Sequence, residues 1–167
     1  MIALLRVDNR LLHGQILEAW VPRLRVGRLV IADDEAASSP LARAAMTLAL
    51  PPGLPAEVQA VAAVEWPRLA AAREAVLVLF RELGGVVQAA RGGLTPALAP
   101  KVNLGNVHYA AGRRPTTPSV FLGQEDLAHA RALASAGFEV EARAVPSDPP
   151  VGLAELVQRY DAAGERR

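Results

Sequence analysis

Two short runs of almost uninterrupted apolar residues place the strongest limit on how this chain can fold. The first covers about residues 1–7, and the second is Ala75–Phe80, with the sequence Ala-Val-Leu-Val-Leu-Phe. Strands that are apolar along their whole length occur where helices cover both faces of a parallel sheet. Further strand patterns lie at Arg28–Asp33, Lys101–Leu104 and Ser119–Leu122.

Helical patterns separate these strands along the chain. They are predicted at about residues 14–21, 40–50, 65–73, 83–94, 124–136 and 151–160. Pro22 lies where the first of these helices is expected to end or kink. Strands that alternate with helices are typical of a mainly parallel sheet. We therefore predict an α/β protein with one domain, residues 1–167, whose open, mainly parallel sheet has helices on both faces.

Three segments give less direct patterns. Glu57–Val64 contains an alternation that favours a third strand, with a helix as the alternative. Residues 110–118 are rich in turn formers and are predicted to be irregular. Phe138–Val145 alternates apolar and charged residues, which predicts an edge strand with one solvated face.

Composition excludes several classes of protein. The net charge is +1 and the charges are dispersed, so no basic surface for nucleic acid is expected. The chain has no cysteine, which excludes disulfides, thiolate metal sites and cysteine nucleophiles. No apolar stretch is long enough to span a bilayer, and no signal peptide is visible, so we expect a cytoplasmic protein. Glycine-rich nucleotide-binding loops are also lacking, and we expect neither a metal nor a cofactor.

A polar loop directly follows the first strand. The segment from Val7 to Ile16 reads Val-Asp-Asn-Arg-Leu-Leu-His-Gly-Gln-Ile and leads into apolar residues spaced every four positions. The loop therefore lies at the carboxyl end of a strand, where α/β proteins usually bind ligands. The free N–H groups of the following helix favour an anion at this position.

The side chains of this loop suit the transfer of a phosphoryl group. The neutral imidazole of His13 is a good nucleophile near neutral pH. Arg10 can donate two hydrogen bonds to phosphoryl oxygens, and Gly14 and Gln15 place backbone N–H groups nearby. Asp8 would repel the anion, so it is interpreted as orienting Arg10 or binding the imidazole nitrogen that is not phosphorylated. We predict that His13 carries a phosphoryl group.

Other polar residues are predicted to lie at the same edge of the sheet. Asp33 ends the second strand and, with the two acidic residues after it, is interpreted as a partner for a helix N-terminus. We expect Asp33 to line the crevice of His13, because the first two strands are expected to be neighbours. Asn9 and Gly105 are assigned to the same crevice. His108 is interpreted as a turn histidine that hydrogen-bonds the backbone.

The segment from Val7 to Gln15 resembles the signature of the IIB component of the mannose/fructose/sorbose class of the bacterial phosphoenolpyruvate-dependent sugar phosphotransferase system. That signature reads approximately Ile/Val-Asp-Asp-Arg-Leu-Ile-His-Gly-Gln. The resemblance continues in order along nearly the whole chain, through residues 30–36, 51–53, 76–80, 102–106, 137–140 and 145–146.

The resemblance implies a function, a fold and a set of partners. The histidine that matches His13 accepts a phosphoryl group from a phosphohistidine of the IIA protein. It then passes the group to the 6-hydroxyl of a sugar, a hexose or a related compound, entering through the membrane components IIC and IID. The fold is an open parallel sheet with helices on both faces, and members commonly form dimers. We therefore expect a phosphotransferase that is cytoplasmic, bound to the membrane through IIC and IID, and a homodimer.

Two positions depart from the family pattern. Asn9 stands where members usually have a second aspartate, which removes one negative charge beside the site. His108 lies in a segment, Asn106-Val107-His108, where many members have a glycine pair and no histidine. The alternative function is that of a regulatory protein from an incomplete phosphotransferase set, which would signal through the phosphorylation state of the same histidine.

Overall fold

A seven-stranded sheet organises the structure, a computed structural model that describes residues 1–165. The strands in chain order are β1 Ile2–Asp8, β2 Val26–Ala32, β3 Ala56–Gln59, β4 Ala75–Phe80, β5 Lys101–Asn106, β6 Arg114–Thr117, β7 Val120–Leu122, β8 Glu139–Ala142 and β9 Val151–Gly152. The order in the main sheet is β3-β2-β4-β1-β5-β8-β9, and β6 and β7 form a separate antiparallel hairpin. All pairs in the main sheet are parallel except β8–β9.

Helices lie on both faces of this sheet. They are α1 Val21–Leu24, α2 Asp34–Ser38, α3 Pro40–Ala49, α4 Trp66–Ala70, α5 Leu83–Arg91, α6 Gln124–Ser135 and α7 Leu153–Glu165. A π-helical turn, Ile16–Trp20, precedes α1, and a 3₁₀ turn covers Val61–Ala63. None of the helices within residues 1–165 has both the length and the apolar character needed to cross a bilayer.

The central strand β4 shows why the sheet needs cover on both sides. Val76, Val78 and Phe80 pack into one hydrophobic cluster together with residues of α4 to α7. Leu77 and Leu79 point the other way, into a second cluster that includes residues of the first helical segment and α2. Because consecutive side chains of a strand point to opposite faces, an apolar run of this kind is buried only between two layers of helices. The predicted α/β class, with a mainly parallel open sheet and helices on both faces, is confirmed.

The order of the strands creates a crevice at the carboxyl end of β1. The helical segment that follows β1 packs on one face of the sheet through Ile16 and Trp20. The helix that follows β4 packs on the opposite face through Leu83 and Val86. Chain connections that leave neighbouring strands for opposite faces open a crevice between them, and ligands of α/β sheets bind in such crevices.

Several predicted elements have different bounds in the structure. Pro22 does not end the first helical segment, which continues to Leu24, and a π-helical turn directly precedes α1. The segment predicted as a strand from Glu57 to Val64 contains both alternatives, because β3 ends at Gln59 and a 3₁₀ turn follows. The acidic residues after β2 begin a short helix, α2, that was not predicted as a separate element.

The second half of the chain also differs from the prediction. The turn-rich stretch at residues 110–118 contains β6, which pairs with β7. The strand β8 is not at the edge with a solvated face, because β9 pairs with it and Glu141 is buried. The predicted C-terminal helix continues beyond Tyr160, since α7 covers Leu153–Glu165. The predicted extent of the domain, residues 1–167, stays a prediction.

Candidate functional site

The imidazole of His13 is fixed by an aspartate from the preceding strand. The Nε2 atom of His13 lies 2.9 Å from Oδ2 of Asp8, and the histidine side chain is 13% exposed. Within residues 1–165, Nδ1 of His13 forms no hydrogen bond. It is not fully buried, so it remains accessible. Because an ionised carboxylate only accepts hydrogen bonds, Nε2 donates its proton to Asp8, and in the neutral tautomer with this contact the lone pair lies on Nδ1.

Asp8 is the centre of the site, although it is fully buried. Its Oδ2 accepts hydrogen bonds from both His13 and Nη2 of Arg6, the latter at 3.0 Å. Its Oδ1 accepts from the backbone N–H of Arg10 at 3.1 Å. Burial alone would disfavour the ionised form of this carboxyl group, and the three hydrogen-bond donors stabilise it. The interpretation that Asp8 faces the imidazole and Arg10, and not an anion in the crevice, agrees with this geometry.

Arg6 is a fully buried cation that the sequence interpretation did not single out. Besides Asp8, its guanidinium donates to the side-chain oxygen of Asn103 at 2.6 Å and to the backbone oxygens of Arg143 and Ala144 at 3.0 and 3.1 Å. The ring of Trp20 lies against it, with Cζ 5.0 Å from the ring centroid. Burial lowers the pKa of the Arg6 guanidinium and Asp8 opposes that effect, so the side chain stays charged at neutral pH.

Gly105 makes room for this buried guanidinium. A Cβ atom at position 105 would lie 1.9 Å from Cζ of Arg6, which no side chain tolerates. The position is buried in β5, the strand next to β1. Gly105 was assigned to the crevice, and its contact in the structure is with Arg6, behind Asp8.

Arg10 is held beside the crevice by the end of β5. With the Asn106 amide oriented to satisfy its neighbours, its oxygen accepts from Nε and Nη2 of Arg10, both at 2.9 Å. The amide nitrogen then donates to Nε2 of His108 at 3.2 Å. The guanidinium retains further N–H donors, and its side chain is 44% exposed. The His108 ring thus acts as an acceptor in the network that fixes Arg10. Within residues 1–165 it makes no hydrogen bond to the backbone, so the interpretation of His108 as a turn histidine bound to the backbone is wrong.

The backbone between Asp8 and His13 adopts a constrained turn. Leu11 has a φ of +54°, which costs a non-glycine residue about 1 kcal/mol, and its side chain is buried in the second hydrophobic cluster. The carbonyl of His13 accepts from the N–H of Ile16, which begins the helical segment. The N–H groups of Gly14 and Gln15 precede the first intrahelical bonds and remain available to an anion.

Gln15 has a second feature that the sequence did not indicate. Its side-chain Oε1 is buried and has no hydrogen-bond partner within residues 1–165. An acceptor of this kind is uncommon in folded proteins, and functional sites are one place where it occurs.

Asn9 connects two loops at the edge of the sheet. Its Nδ2 donates to the carbonyl of Arg81 at 2.7 Å, and its Oδ1 accepts from the backbone N–H of His108 at 2.6 Å. An aspartate at this position could not donate the first of these hydrogen bonds. Asparagine at this position therefore has a structural role, because its amide both donates and accepts a hydrogen bond.

Asp33 occupies a separate position at this edge. The expectation that β1 and β2 are neighbours is wrong, because β4 lies between them in the sheet. The carboxylate of Asp33 binds Nε and Nη2 of Arg81 at 3.0 and 2.8 Å and caps α2 through the N–H of Ala36. Hydrogen bonding to Asp33 raises the pKa of Arg81. Asp33 reaches the His13 loop indirectly, through Arg81 and Asn9.

The structure thus brings together most of the predicted loop and separates one predicted residue. Asp8 contacts both Arg10 and His13, and Gly14 and Gln15 follow His13 in the chain, whereas Asp33 belongs to a neighbouring ion pair. Arg6 was missed because it was counted within an apolar run. The sequence did contain an indication of its role. A charged residue in the middle of a strand that is buried on both faces needs a buried partner.

Comparisons with known proteins agree with this arrangement. The sequence model of the family described as PTS system sorbose subfamily IIB component matches residues 2–166. The sorbose-specific EIIB component of Klebsiella pneumoniae is 29% identical over 160 residues, which is 93% of this chain and 94% of that protein. The mannose-specific EIIAB component of Escherichia coli K12 is 29% identical over 96% of this chain, and the chain spans about half (50%) of its length.

Solved structures show the same likeness. The crystal structure of the IIBSor domain of the sorbose permease from Klebsiella pneumoniae has a TM-score of 0.80 and 28% identity, with 95% of this chain and 96% of that chain covered. The N-acetylgalactosamine-specific IIB component 1 of Escherichia coli has a TM-score of 0.82 and 26% identity, with 90% and 98% covered. The family match covers nearly the whole chain, and the protein therefore belongs to the sorbose-subfamily IIB components of the sugar phosphotransferase system.

Proposed function

We propose that this protein is a phosphocarrier that receives a phosphoryl group on His13 from a phosphohistidine of a IIA protein. It then transfers the group to the 6-hydroxyl of a sugar at the membrane components IIC and IID. The observation that carries the proposal is the 2.9 Å contact between Asp8 Oδ2 and His13 Nε2, which leaves Nδ1 as the nucleophile. A histidine oriented by a buried carboxylate is a recurring arrangement in nucleophilic and acid–base catalysis.

In the first step, the lone pair of Nδ1 forms a bond to phosphorus while the N–P bond of the donor breaks and its electron pair returns to the donor imidazole. Positive charge develops on the ring of His13, and the carboxylate of Asp8 stabilises it. The remaining N–H donors of Arg10 and the N–H groups of Gly14 and Gln15 bind the phosphoryl oxygens. Phosphoryl transfer depends mainly on such positioning and charge stabilisation.

In the second step, the hydroxyl oxygen of the sugar forms a bond to phosphorus as the N–P bond of His13 breaks. The electron pair returns to Nδ1, and the hydroxyl proton leaves to a base at the sugar site. This role places the protein in the cytoplasm, at the inner face of the membrane. The relatives are named for mannose, sorbose, N-acetylgalactosamine and fructose, which supports sugar transport over the regulatory alternative.

The direct test is phosphorylation of the purified protein. With phosphoenolpyruvate, the general phosphotransferase proteins and a IIA protein of this class, we expect one phosphoryl group on His13. The ³¹P NMR signal should identify the Nδ1 adduct. His13→Ala should take up none, whereas His129→Ala, which changes a histidine in α6, should be labelled like the native protein.

Labelling of His13→Ala, or of Nε2 in the native protein, would contradict the proposal. Transfer onward is tested with membranes that contain IIC and IID proteins of this class, where the labelled protein should yield a sugar 6-phosphate. Stable phosphorylation with no transfer to any of the four sugars would favour the regulatory alternative. The homodimer stays a prediction, which sedimentation of the purified protein tests.

A further inference from the structure

The buried cation Arg6 does not contact the crevice directly, but Arg6 and His13 hydrogen-bond the same oxygen of Asp8. Oδ2 of Asp8 lies 3.0 Å from Nη2 of Arg6 and 2.9 Å from Nε2 of His13. Both Arg6 and Asp8 are 0% exposed, so the two charges interact with little screening by water. Removing the charge of Arg6 should therefore change the protonation equilibrium of the imidazole.

The consequence follows from the proton balance of the pair formed by Asp8 and His13. A buried carboxylate without a cation tends to acquire a proton or to hold its partner protonated. If the proton goes to the imidazole, the ring becomes an imidazolium with a proton on Nδ1. If it goes to Oδ2 of Asp8, the carboxyl donates to Nε2, and the neutral ring then carries its proton on Nδ1. Both outcomes remove the lone pair that attacks phosphorus.

We propose that Arg6 is a positioning residue for phosphoryl transfer, and that its buried charge on Asp8 keeps Nδ1 of His13 free of a proton. Arg6 does not touch the phosphoryl group in this account and acts through Asp8 alone. The inference deepens the proposed function and depends on it for its kinetic consequence. The protonation of the free imidazole can be measured without any phosphoryl donor, so the two proposals can fail separately.

Other charged groups around the loop cannot replace Arg6. Arg10 lies on the other oxygen of Asp8, with Nε 3.9 Å from Oδ1, and its side chain is 44% exposed, so water screens it. His108 contacts the network through the Asn106 amide. Glu18, on the helical segment beside Gly14, is exposed and negatively charged, so it supplies no cation to Asp8. Arg6 is the fully buried positive charge among these groups.

The structure anchors Arg6 as a fixed charge. Asn103 and the backbone oxygens of Arg143 and Ala144 accept hydrogen bonds from Nη1 and Nη2 of Arg6, and Trp20 donates its Nε1 proton to the same Ala144 oxygen at 3.0 Å. The loop after β8 is therefore part of the site through its backbone. A guanidinium can satisfy all these acceptors at once, whereas an ammonium has only three donors.

The experiment compares Arg6→Met, Arg6→Lys and the double variant Arg6→Met with Asp8→Asn. In the native protein, ¹⁵N NMR at pH 7 to 8 should show Nδ1 unprotonated and Nε2 protonated. Arg6→Met should show more Nδ1 protonation than the native protein at each pH, and the acidic limb of its pH–rate profile for phosphorylation should move to higher pH by about one unit, a tenfold rate loss at pH values below both limbs. Arg6→Lys, which keeps the charge, should restore most of the native profile.

The double variant separates the charge effect from a structural one. With Asp8→Asn, no carboxylate remains to bind a proton, so the acidic limb should return toward the native position even if the overall rate is low. Arg28→Met removes a half-buried charge near the amino end of β2 and should leave the NMR spectrum and the pH–rate profile unchanged.

Three results would overturn the inference. One is an unprotonated Nδ1 and a native pH profile in Arg6→Met. Another is a shift that persists in the double variant, and the third is an Arg6→Lys protein that behaves like Arg6→Met. If Arg6→Met does not fold, Arg6→Lys and the double variant still decide the matter. Failure of native His13 to be phosphorylated would contradict the proposed function and leave the NMR result standing.

Discussion

Asp8 and Asp33 occupy equivalent places in the chain and have different roles. Each lies at the carboxyl end of an apolar strand, precedes a helical segment and binds an arginine. Both carboxylate oxygens of Asp33 accept hydrogen bonds from Arg81, and one of them also accepts from the N-terminus of α2. The role of Asp33 is therefore structural. Asp8 caps no helix, and its Oδ2 holds both Arg6 and His13.

The role of an aspartate at the end of a strand therefore depends on its partner and not on the local sequence pattern. Arg81 is 32% exposed, so the Asp33 pair is partly hydrated and contributes modestly to stability. Arg6 is fully buried, and its pair with Asp8 is costly to break from either side. The first arrangement tolerates change, whereas the second fixes one geometry for the imidazole.

Neutralising Asp8 should give the largest effect. Asp8→Asn leaves the guanidinium of Arg6 buried without its counter-charge, and we expect a loss of about 3–5 kcal/mol in the free energy of unfolding. Urea denaturation followed by circular dichroism measures this loss. A loss below about 1 kcal/mol would show that the buried pair resembles an exposed one.

Filling the space beside Arg6 should give the next largest effect. Gly105→Ala places a methyl group 1.9 Å from Cζ of Arg6, so the guanidinium must move, and we expect a destabilisation of about 1–3 kcal/mol together with slower phosphorylation of His13. Gly152→Ala is the matched control, because a Cβ there has no atom within 4 Å. Equal stability of the two variants would contradict the geometry of the Arg6 pocket.

Changing the residue that connects the two aspartate regions should have a smaller effect. Asn9→Asp loses the donor to the Arg81 carbonyl and places a carboxylate oxygen against it, at a cost of about 1–2 kcal/mol. Amide hydrogen exchange should show the loops around Arg81 and His108 opening more often than in the native protein. Unchanged exchange in both loops would mean that Asn9 does not hold them together.

The smallest effect is expected at Asp33. Asp33→Asn keeps a side chain that caps helices as well as aspartate does, so the main loss is the partly exposed pair with Arg81. We expect less than about 1 kcal/mol in urea denaturation and normal phosphorylation of His13. A fall in phosphorylation as large as that of Asp8→Asn would show that the two regions are energetically coupled.

Local patterns in the sequence determined the fold class and the main loop. The apolar run Ala75–Phe80 requires cover on both faces, which sets the parallel sheet, and the segment after the first strand places Asp8, Arg10 and His13 beside a helix start. Both are features of consecutive residues, whose periodicity and order can be read from the chain directly.

The tertiary structure alone decided the environment of that loop. Strand β4 separates β1 from β2, which removes Asp33 from the crevice, and the backbone oxygens of Arg143 and Ala144 come from the far end of the chain to bind Arg6. The partners of a buried charge depend on strand order and on contacts between distant loops. Those are properties of the packed sheet, because a residue's own neighbours in sequence do not specify which atoms will surround it.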